Sequence, residues 1–324
     1  MKKPDGIPIL NVRGLLSINQ IRDKNEITPD LMAICQAIGD ATKQIGFFVA
    51  APDHGVQGLE EIEALGIRFF AQPEQEKQNF SMYNNPTFRG YTSLFSETTQ
   101  GKSDYKACFD SGTQHPENQG KETFLGYTDY PDAEFERICT TYHNEMRAFG
   151  SAVMRAFAVY LDLPLDSMTT PEHTPMENHL FRMLCYPPAP NAQEKIQGVG
   201  SHTDYGALAM LFATGGGLEV YNKSNEWVQV PFIPYSIVVN IGDLIETWTN
   251  GLFRATWHRV IHQNDFWRYS FPFFYEPSFD ATIEPLLPPS NPEKTYGPLN
   301  YEQHVCKGTS KSFSKHTFSK KWLQ

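Results

Sequence analysis

The sequence predicts a mainly β chain with flanking helices, in which a sandwich or barrel core follows an N-terminal α/β region. Two observations carry this. From His179 onward, short β-branched and aromatic runs alternate with Gly, Pro and Asn at 179–186, 207–213, 218–222, 226–231, 236–241, 253–261 and 268–276. Before them, Asp132 opens a long segment to about Leu163 with Phe135, Ile138, Tyr142, Met146, Phe149 and Val153 at helical spacing, the stripe of a helix that supports a sheet.

In chain order, Asp30 to Gln44 reads as a helix with Leu31, Ile34, Cys35, Ile38 and Ala41 on one face, Thr28 as its N-cap, Pro29 in its first turn and Gly46 as its stop. A strand at Phe47 to Ala51 follows, then a helix from about Val56 to Phe70. The polar, weakly periodic stretch from Gln72 to Gln119 reads as loop and short strand over a pocket mouth. Gly215-Gly216-Gly217 lies between two expected strands, has no helix or Lys-Ser/Thr behind it, and reads as a hairpin turn and not a phosphate loop. The tail from Pro288 reads as loop plus a helix near Tyr301 to Lys307, ending in basic Lys311, Lys315, Lys320 and Lys321. No internal repeat appears.

Composition narrows the function classes. The 324 residues suffice for one large domain or two intimately packed ones. A formal charge of −10 argues against nucleic acid or an anionic membrane as partner, since either needs a basic face. No apolar run of spanning length and no signal-peptide core is present. Cys35, Cys108, Cys139, Cys185 and Cys306 are scattered and form no Cys-x-x-Cys pair, so they read as reduced packing residues of a cytoplasmic protein, expected to be a monomer.

The chemistry-bearing segment is Gly200-Ser201-His202-Thr203-Asp204-Tyr205-Gly206. At a strand end, residues i and i+2 point the same way, so His202 and Asp204 can converge. His258 in Thr256-Trp257-His258-Arg259 supplies a second imidazole. Two histidines and a carboxylate make a facial triad, a ligand set that suits a non-heme ferrous ion with open positions. Further on, Arg268 and Ser270 share a strand face and offer a guanidinium fork and a hydroxyl to one planar carboxylate. His262 is set aside, because on a strand it would stand about 13 Å from His258. His54 and Asp243 read as turn residues, and His143, His179, Trp248 and Trp257 as structural.

With these elements in register the chain resembles the isopenicillin N synthase-like family of iron(II) and 2-oxoglutarate dependent oxygenases. Ile7-Pro8-Ile9-Leu10-Asn11, Gly46-Phe47-Phe48-Val49, Asp53-His54-Gly55-Val56, Arg89-Gly90-Tyr91, Asp104-Tyr105-Lys106, Tyr186-Pro187-Pro188 and Val239-Asn240-Ile241-Gly242-Asp243 fall where that family carries similar signatures. The resemblance implies a double-stranded β-helix, or jelly-roll, core. It also implies a division into an N-terminal non-haem dioxygenase region (1–120), a long supporting helix (121–175), the jelly-roll core (176–290) and a C-terminal loop and helix (291–324). Under it, His202, Asp204 and His258 bind Fe(2+), and Arg268, Ser270 and Tyr186 hold 2-oxoglutarate, with O2 as co-reactant. Leu184 and Cys185 depart from the Asn-Tyr that precedes this tyrosine in the family's motif.

The implied activity is oxidation of an unactivated C–H of a small polar metabolite by hydroxylation, desaturation or oxidative cyclisation, with release of succinate and CO2. Arg182 shares a strand face with Tyr186 and, with Arg89, Tyr91 and Lys106, is a candidate for substrate contact. Two alternatives stand beside this reading: an iron-dependent oxidase or cyclase of the same fold that does not use 2-oxoglutarate, and a non-catalytic carboxylate-binding protein.

Overall fold

Capping chemistry sets the first helix where the sequence places it. In the structure, a computed structural model that describes residues 6–313 apart from 122, 170–175, 191–194, 264 and 294, Thr28 Oγ1 accepts from Leu31 N at the start of α1 (Pro29–Ile45). Gly46 closes α1 in the left-handed region at φ 72. The chain continues through α2 (Leu59–Phe70), α3 (Glu74–Gln78), α4 (Ala133–Tyr160), α5 (Asp243–Trp248) and α6 (Tyr301–Ser312). Its strands before α4 are β1 (Ile9–Leu10), β2 (Phe47–Ala50), β3 (Gly90–Thr92), β4 (Thr98–Thr99), β5 (Lys102–Ser103) and β6 (Ala107–Gly112). After α4 come β7 (Leu180–Tyr186), β8 (Ile196–His202), β9 (Leu208–Ala213), β10 (Leu218–Tyr221), β11 (Trp227–Gln229) and β12 (Ile237–Ile241). The last are β13 (His258–His262), β14 (Arg268–Tyr275), β15 (Thr282–Ile283) and β16 (Leu299–Asn300).

Among the described residues, an eight-stranded sheet runs β1-β2-β12-β9-β14-β7-β6-β3 and a four-stranded sheet runs β11-β10-β13-β8. Together they form the double-stranded β-helix core, mainly β with helices packed on the larger sheet. Strand alternation gives that larger sheet two apolar faces. Met210, Phe212, Phe271, Phe273 and Tyr275 belong to a core shared with α1, α2 and α4, whereas Leu184, Tyr186, Leu211, Val220 and Val260 pack in a second cluster between the sheets. The helices approach the outer face closely. A Cβ on Gly150 of α4 would lie 2.7 Å from the Tyr275 ring, and one on Gly66 of α2 would lie 2.8 Å from Phe271. Tyr142 Oη donates to Phe271 O at 2.8 Å, tying α4 to β14.

Several expectations are corrected. The run 196–202 is a full strand although Gly198 and Gly200 weaken its strand signal; a Cβ on Gly198 would meet the Tyr186 ring at 2.9 Å, so close packing requires the glycine. Residues 253–257 are irregular, because Ala255 N donates to Glu246 Oε2 and Thr256 Oγ1 to Ile45 O instead of to a neighbouring strand. Gly215 to Gly217 do not turn a hairpin: they carry the chain from β9 in one sheet to β10 in the other. Within 72–119 the expected short strands are present, and β3 and the fully buried β6 join the large sheet. The final helix runs through Gly308 to Ser312, because Gly308 lets α6 lie against the Tyr205 ring, where an added Cβ would come within 2.3 Å. Lys315, Lys320 and Lys321 lie outside the described residues.

His143 of α4 meets the Phe273 ring edge-on, and His179 stacks on Tyr275 with their centroids 4.7 Å apart. Burial, helped by Arg147, lowers the His143 imidazole to about 4, and burial drives His179 well below its ordinary value. Both therefore stay neutral in the folded chain while the unfolded chain takes up protons near pH 6.5. Their contribution is intact above that pH and is lost on acidification, for His143 across the window from about 6.5 to about 4. Urea unfolding of His143→Phe should accordingly show a smaller loss of stability than wild type between about pH 7 and about pH 4.5; an identical slope would contradict this.

Candidate active site and metal centre

The pairing of β8 with β13 sets His202 directly opposite His258, and their ring centroids lie 4.2 Å apart. His202 Nδ1 donates to Gly200 O at 2.8 Å, and His258 Nδ1 donates to Thr256 O at 3.1 Å. A carbonyl only accepts, so each ring carries its proton on Nδ1 and presents a free lone pair on Nε2. Those Nε2 atoms stand 3.5 and 3.6 Å from Asp204 Oδ1, and the three donor atoms all lie within 4.8 Å of one another. Asp204 Oδ2 is occupied by Asn240 Nδ2 at 2.6 Å, which leaves Oδ1 facing the imidazoles. Such a set, with its outer atoms tied and its inner atoms convergent, can hold one divalent ion.

The electrostatics agree with that geometry. Burial would raise the Asp204 carboxyl, but His258, His202 and Asn240 hold it well below the usual carboxylate range. Burial and the neighbouring His202 lower His258 to about 4, so it stays neutral at physiological pH. His202 differs: the Asp204 carboxylate outweighs burial and raises it, so without a bound cation this ring favours a proton on Nε2 beside Asp204.

A second station lies on β14 and β7. Arg268 and Tyr186 are directly opposite in register, and the guanidinium carbon sits 4.7 Å from the Tyr186 ring centroid. Arg268 Nε donates to Gly215 O and Gly216 O at 3.1 and 2.8 Å, so the glycine turn between the sheets orients the fork. Arg268 is 1% exposed, and burial pulls its guanidinium below its ordinary value because no carboxylate pairs with it among the described residues. Arg268 Nη1 and Tyr186 Oη make no hydrogen bond of good geometry. Buried Ser270 lies two residues along the same face. These orphaned groups fit a bound carboxylate, and they line the same cavity of about 240 Å³ as the triad.

The four candidates for substrate contact separate. Arg182 lines the cavity, but its Nε and Nη2 donate to Asp110 at 2.7 and 3.0 Å and it also bonds Glu97. Lys106 likewise lines it, held by Glu97 at 2.9 Å and Asp104 at 2.8 Å. Both are members of a buried ion network, so their donors are taken up by carboxylates of the protein. Tyr91 does not reach the cavity: its ring packs in the outer core beside Phe69 and Phe70 and its hydroxyl donates to Glu74 at 2.9 Å, since the opposite strand parity turns it away from the site. Arg89 faces the cavity.

Comparison with known proteins decides the family. Residues 177–277 match the 2OG-Fe(II) oxygenase superfamily, and residues 7–133 match the non-haem dioxygenase in morphine synthesis N-terminal family. The homoarginine-6-hydroxylase 2-ODD-233 of Oryza sativa subsp. japonica is 31% identical over 317 residues, covering 92% of this chain and 93% of its own. The chain belongs to the 2OG-Fe(II) oxygenase superfamily. The 2-oxoglutarate-dependent dioxygenase caaD of Aspergillus niger is 29% identical over 309 residues, covering 90% of this chain and 89% of its own. The fold matches a full-length Neurospora crassa protein solved in complex with alpha-KG and 5-formyluracil, with a TM-score of 0.76 at 23% identity over 94% of this chain and 96% of that one.

As a 2OG-Fe(II) oxygenase the protein is an oxidoreductase that uses Fe(2+), 2-oxoglutarate and O2, so the 2-oxoglutarate-independent and non-catalytic alternatives give way. Several residues of the site escaped sequence reasoning. Glu97 and Asp110 sit in a stretch with little periodicity. Glu276 follows β14, accepts from Ala207 N at 3.1 Å and is held well above its ordinary range by burial and by the charge of Asp204. Asn240 was visible only as part of a motif, and its bond to Asp204 needed the structure. Asn240→Ala should leave the fold intact and weaken Fe(II) or Co(II) binding about 10- to 100-fold by titration; unchanged affinity would show that the bond does not orient the carboxylate.

Proposed function

We propose that His202, Asp204 and His258 hold one ferrous ion, that Arg268, Ser270 and Tyr186 hold 2-oxoglutarate beside it, and that the enzyme oxidises a C–H of a small polar metabolite with release of succinate and CO2. The observation that carries the metal assignment is the convergence of two free Nε2 atoms and one free Oδ1, each backed by a hydrogen bond on its far side. Bound iron with 2-oxoglutarate supplies dioxygen activation. The chain's own residues do the positioning: Gly215 and Gly216 aim the Arg268 fork, the Tyr186 ring flattens against it, and the apolar cluster between the sheets keeps water from the site.

A small polar substrate is supported by the cavity volume and by the paired ions in its wall. Relatives agree in scale: some are named homoarginine-6-hydroxylases, and the Neurospora crassa protein has also been solved with thymine. The acidic net charge of −10 and the five free, buried cysteines support a cytoplasmic monomer without nucleic-acid or membrane partners. No helix among the described residues is long and apolar enough to cross a membrane.

Two substitutions test the reading. Asp204→Ala should abolish 2-oxoglutarate turnover and leave far-ultraviolet circular dichroism unchanged; full succinate formation in that variant would remove the triad from the mechanism. Arg268→Lys keeps the charge but loses the two-pronged fork, so the apparent KM for 2-oxoglutarate should rise at least about tenfold, or roughly 1.4 kcal/mol. A wild-type KM in Arg268→Lys would mean that the cosubstrate is anchored elsewhere.

A further inference from the structure

Of the cations in the cavity wall, Arg89 stands apart. Arg182 and Lys106 spend their donors on Glu97, Asp104 and Asp110, and the Arg268 fork is the proposed 2-oxoglutarate anchor. Arg89 is 1% exposed, its Nε has no partner, and Nη1 reaches only the carbonyl of its neighbour Phe88 at a long 3.3 Å. Asp110 lies near enough to offset part of the charge, but both of its oxygens already accept from Arg182. No carboxylate lies within ion-pair distance of Arg89 among the described residues.

The side chain is also held in a slot built for it. A Cβ on Gly126 would lie 2.6 Å from Arg89 Cγ and 2.7 Å from Nε, and one on Gly112 would lie 3.3 Å from Nη2. Gly112 pairs with Leu180 across β6 and β7. That register brings Asn178, two residues before Leu180, to the same end of the cavity, where its buried Oδ1 has no partner either. Tyr301 of α6 lines this end too. A buried guanidinium with spare donors, pre-set between two glycines and facing an internal cavity, is costly unless an anion completes it.

We infer that Arg89 is the docking point for a carboxylate carried by the substrate, which makes the substrate a small carboxylic or amino acid, with the Asn178 Oδ1 free to accept from an N–H or O–H donor on the same molecule. The inference rests on the assignment of Arg268 to 2-oxoglutarate, since that leaves Arg89 as the cavity's unclaimed anion site. Two carboxylates then enter the cavity, each with its own guanidinium. The substrate's carboxylate fixes one end of the molecule, and its distance from the triad selects the carbon that is oxidised. The internally paired Arg182 and Lys106 form the wall between the two anions.

The test uses wild type, Arg89→Met and Arg89→Lys, each loaded anaerobically with Fe(II) and 2-oxoglutarate. Each is titrated with L-homoarginine, L-phenylalanine, hexanoic acid and indole-3-acetic acid, and with the primary amide of every acid. Visible absorption of the Fe(II)–2-oxoglutarate complex and the melting temperature are followed together. At least one acid, and not its amide, should perturb the band and raise the melting temperature of wild type. Its affinity should fall at least about tenfold in Arg89→Met and be partly kept in Arg89→Lys, with the affinity for 2-oxoglutarate unchanged. Without any acid, Arg89→Met should melt at or above wild type, because an unpaired buried charge has been removed.

Three results overturn the proposal: no acid outperforms its amide, the preferred acid binds Arg89→Met as well as wild type, or Arg89→Met melts lower than wild type without ligand and so marks Arg89 as structural. Failure of the visible band to form in wild type would instead break the 2-oxoglutarate assignment, and the melting shifts would still judge Arg89.

Discussion

The pairing of β8 with β13 is the constraint on which the site depends. It sets His202 opposite His258, and the backbone carbonyls of Gly200 and Thr256 hold both rings in the tautomer that leaves Nε2 free. Asp204 is then brought to the pair by the turn after β8, where its carbonyl accepts from Asp243 N at 2.9 Å, and is steadied by Asn240 of β12. The four-stranded sheet thus supplies the imidazoles and the eight-stranded sheet the residue that orients the carboxylate. A jelly roll suits this arrangement, because its two sheets enclose a space that side chains enter from both sides.

Charge in that space is handled in two ways. Glu97, Asp104 and Asp110 pair with Arg182 and Lys106 within the wall, so desolvation is offset by pairing. Burial would raise the Glu97 carboxyl, yet Arg182 and then Lys106 hold it well below the usual carboxylate range. Arg268 is treated differently: it keeps its charge among carbonyls and an aromatic face, with Nη1 left over. Paired ions shape the cavity, and unpaired ones are what a ligand can answer.

The C-terminal helix shows how packing reaches the site from a distance. Gly308 lets α6 approach Tyr205, the residue after Asp204, while His304 on the same helix bonds Asp243 at 2.9 Å. Tyr301, Val305 and Thr309 then line the cavity. Helix α6 is therefore part of the site's wall, joined to the turn that carries Asp204.

By itself, the sequence determined the β-rich core, the long helix after Asp132, the capped helix after Thr28 and the two histidines, carboxylate and Arg-x-Ser pair. Each is legible because it is local: a periodicity, a cap or an i, i+2 spacing depends only on backbone geometry within a few residues. Strand β8 was obscured by Gly198 and Gly200, whose lack of a Cβ answers to the Tyr186 ring and to Thr99 and not to strand propensity. Tertiary structure alone decided that the Gly215–Gly217 turn carries the chain between sheets and grips Arg268. It alone decided that Tyr91 faces the outer core, and that Arg182 is paired while Arg89 is not. Those outcomes depend on which carboxylate or carbonyl arrives from a distant strand, and register across a sheet brings together residues whose separation along the chain carries no local signal.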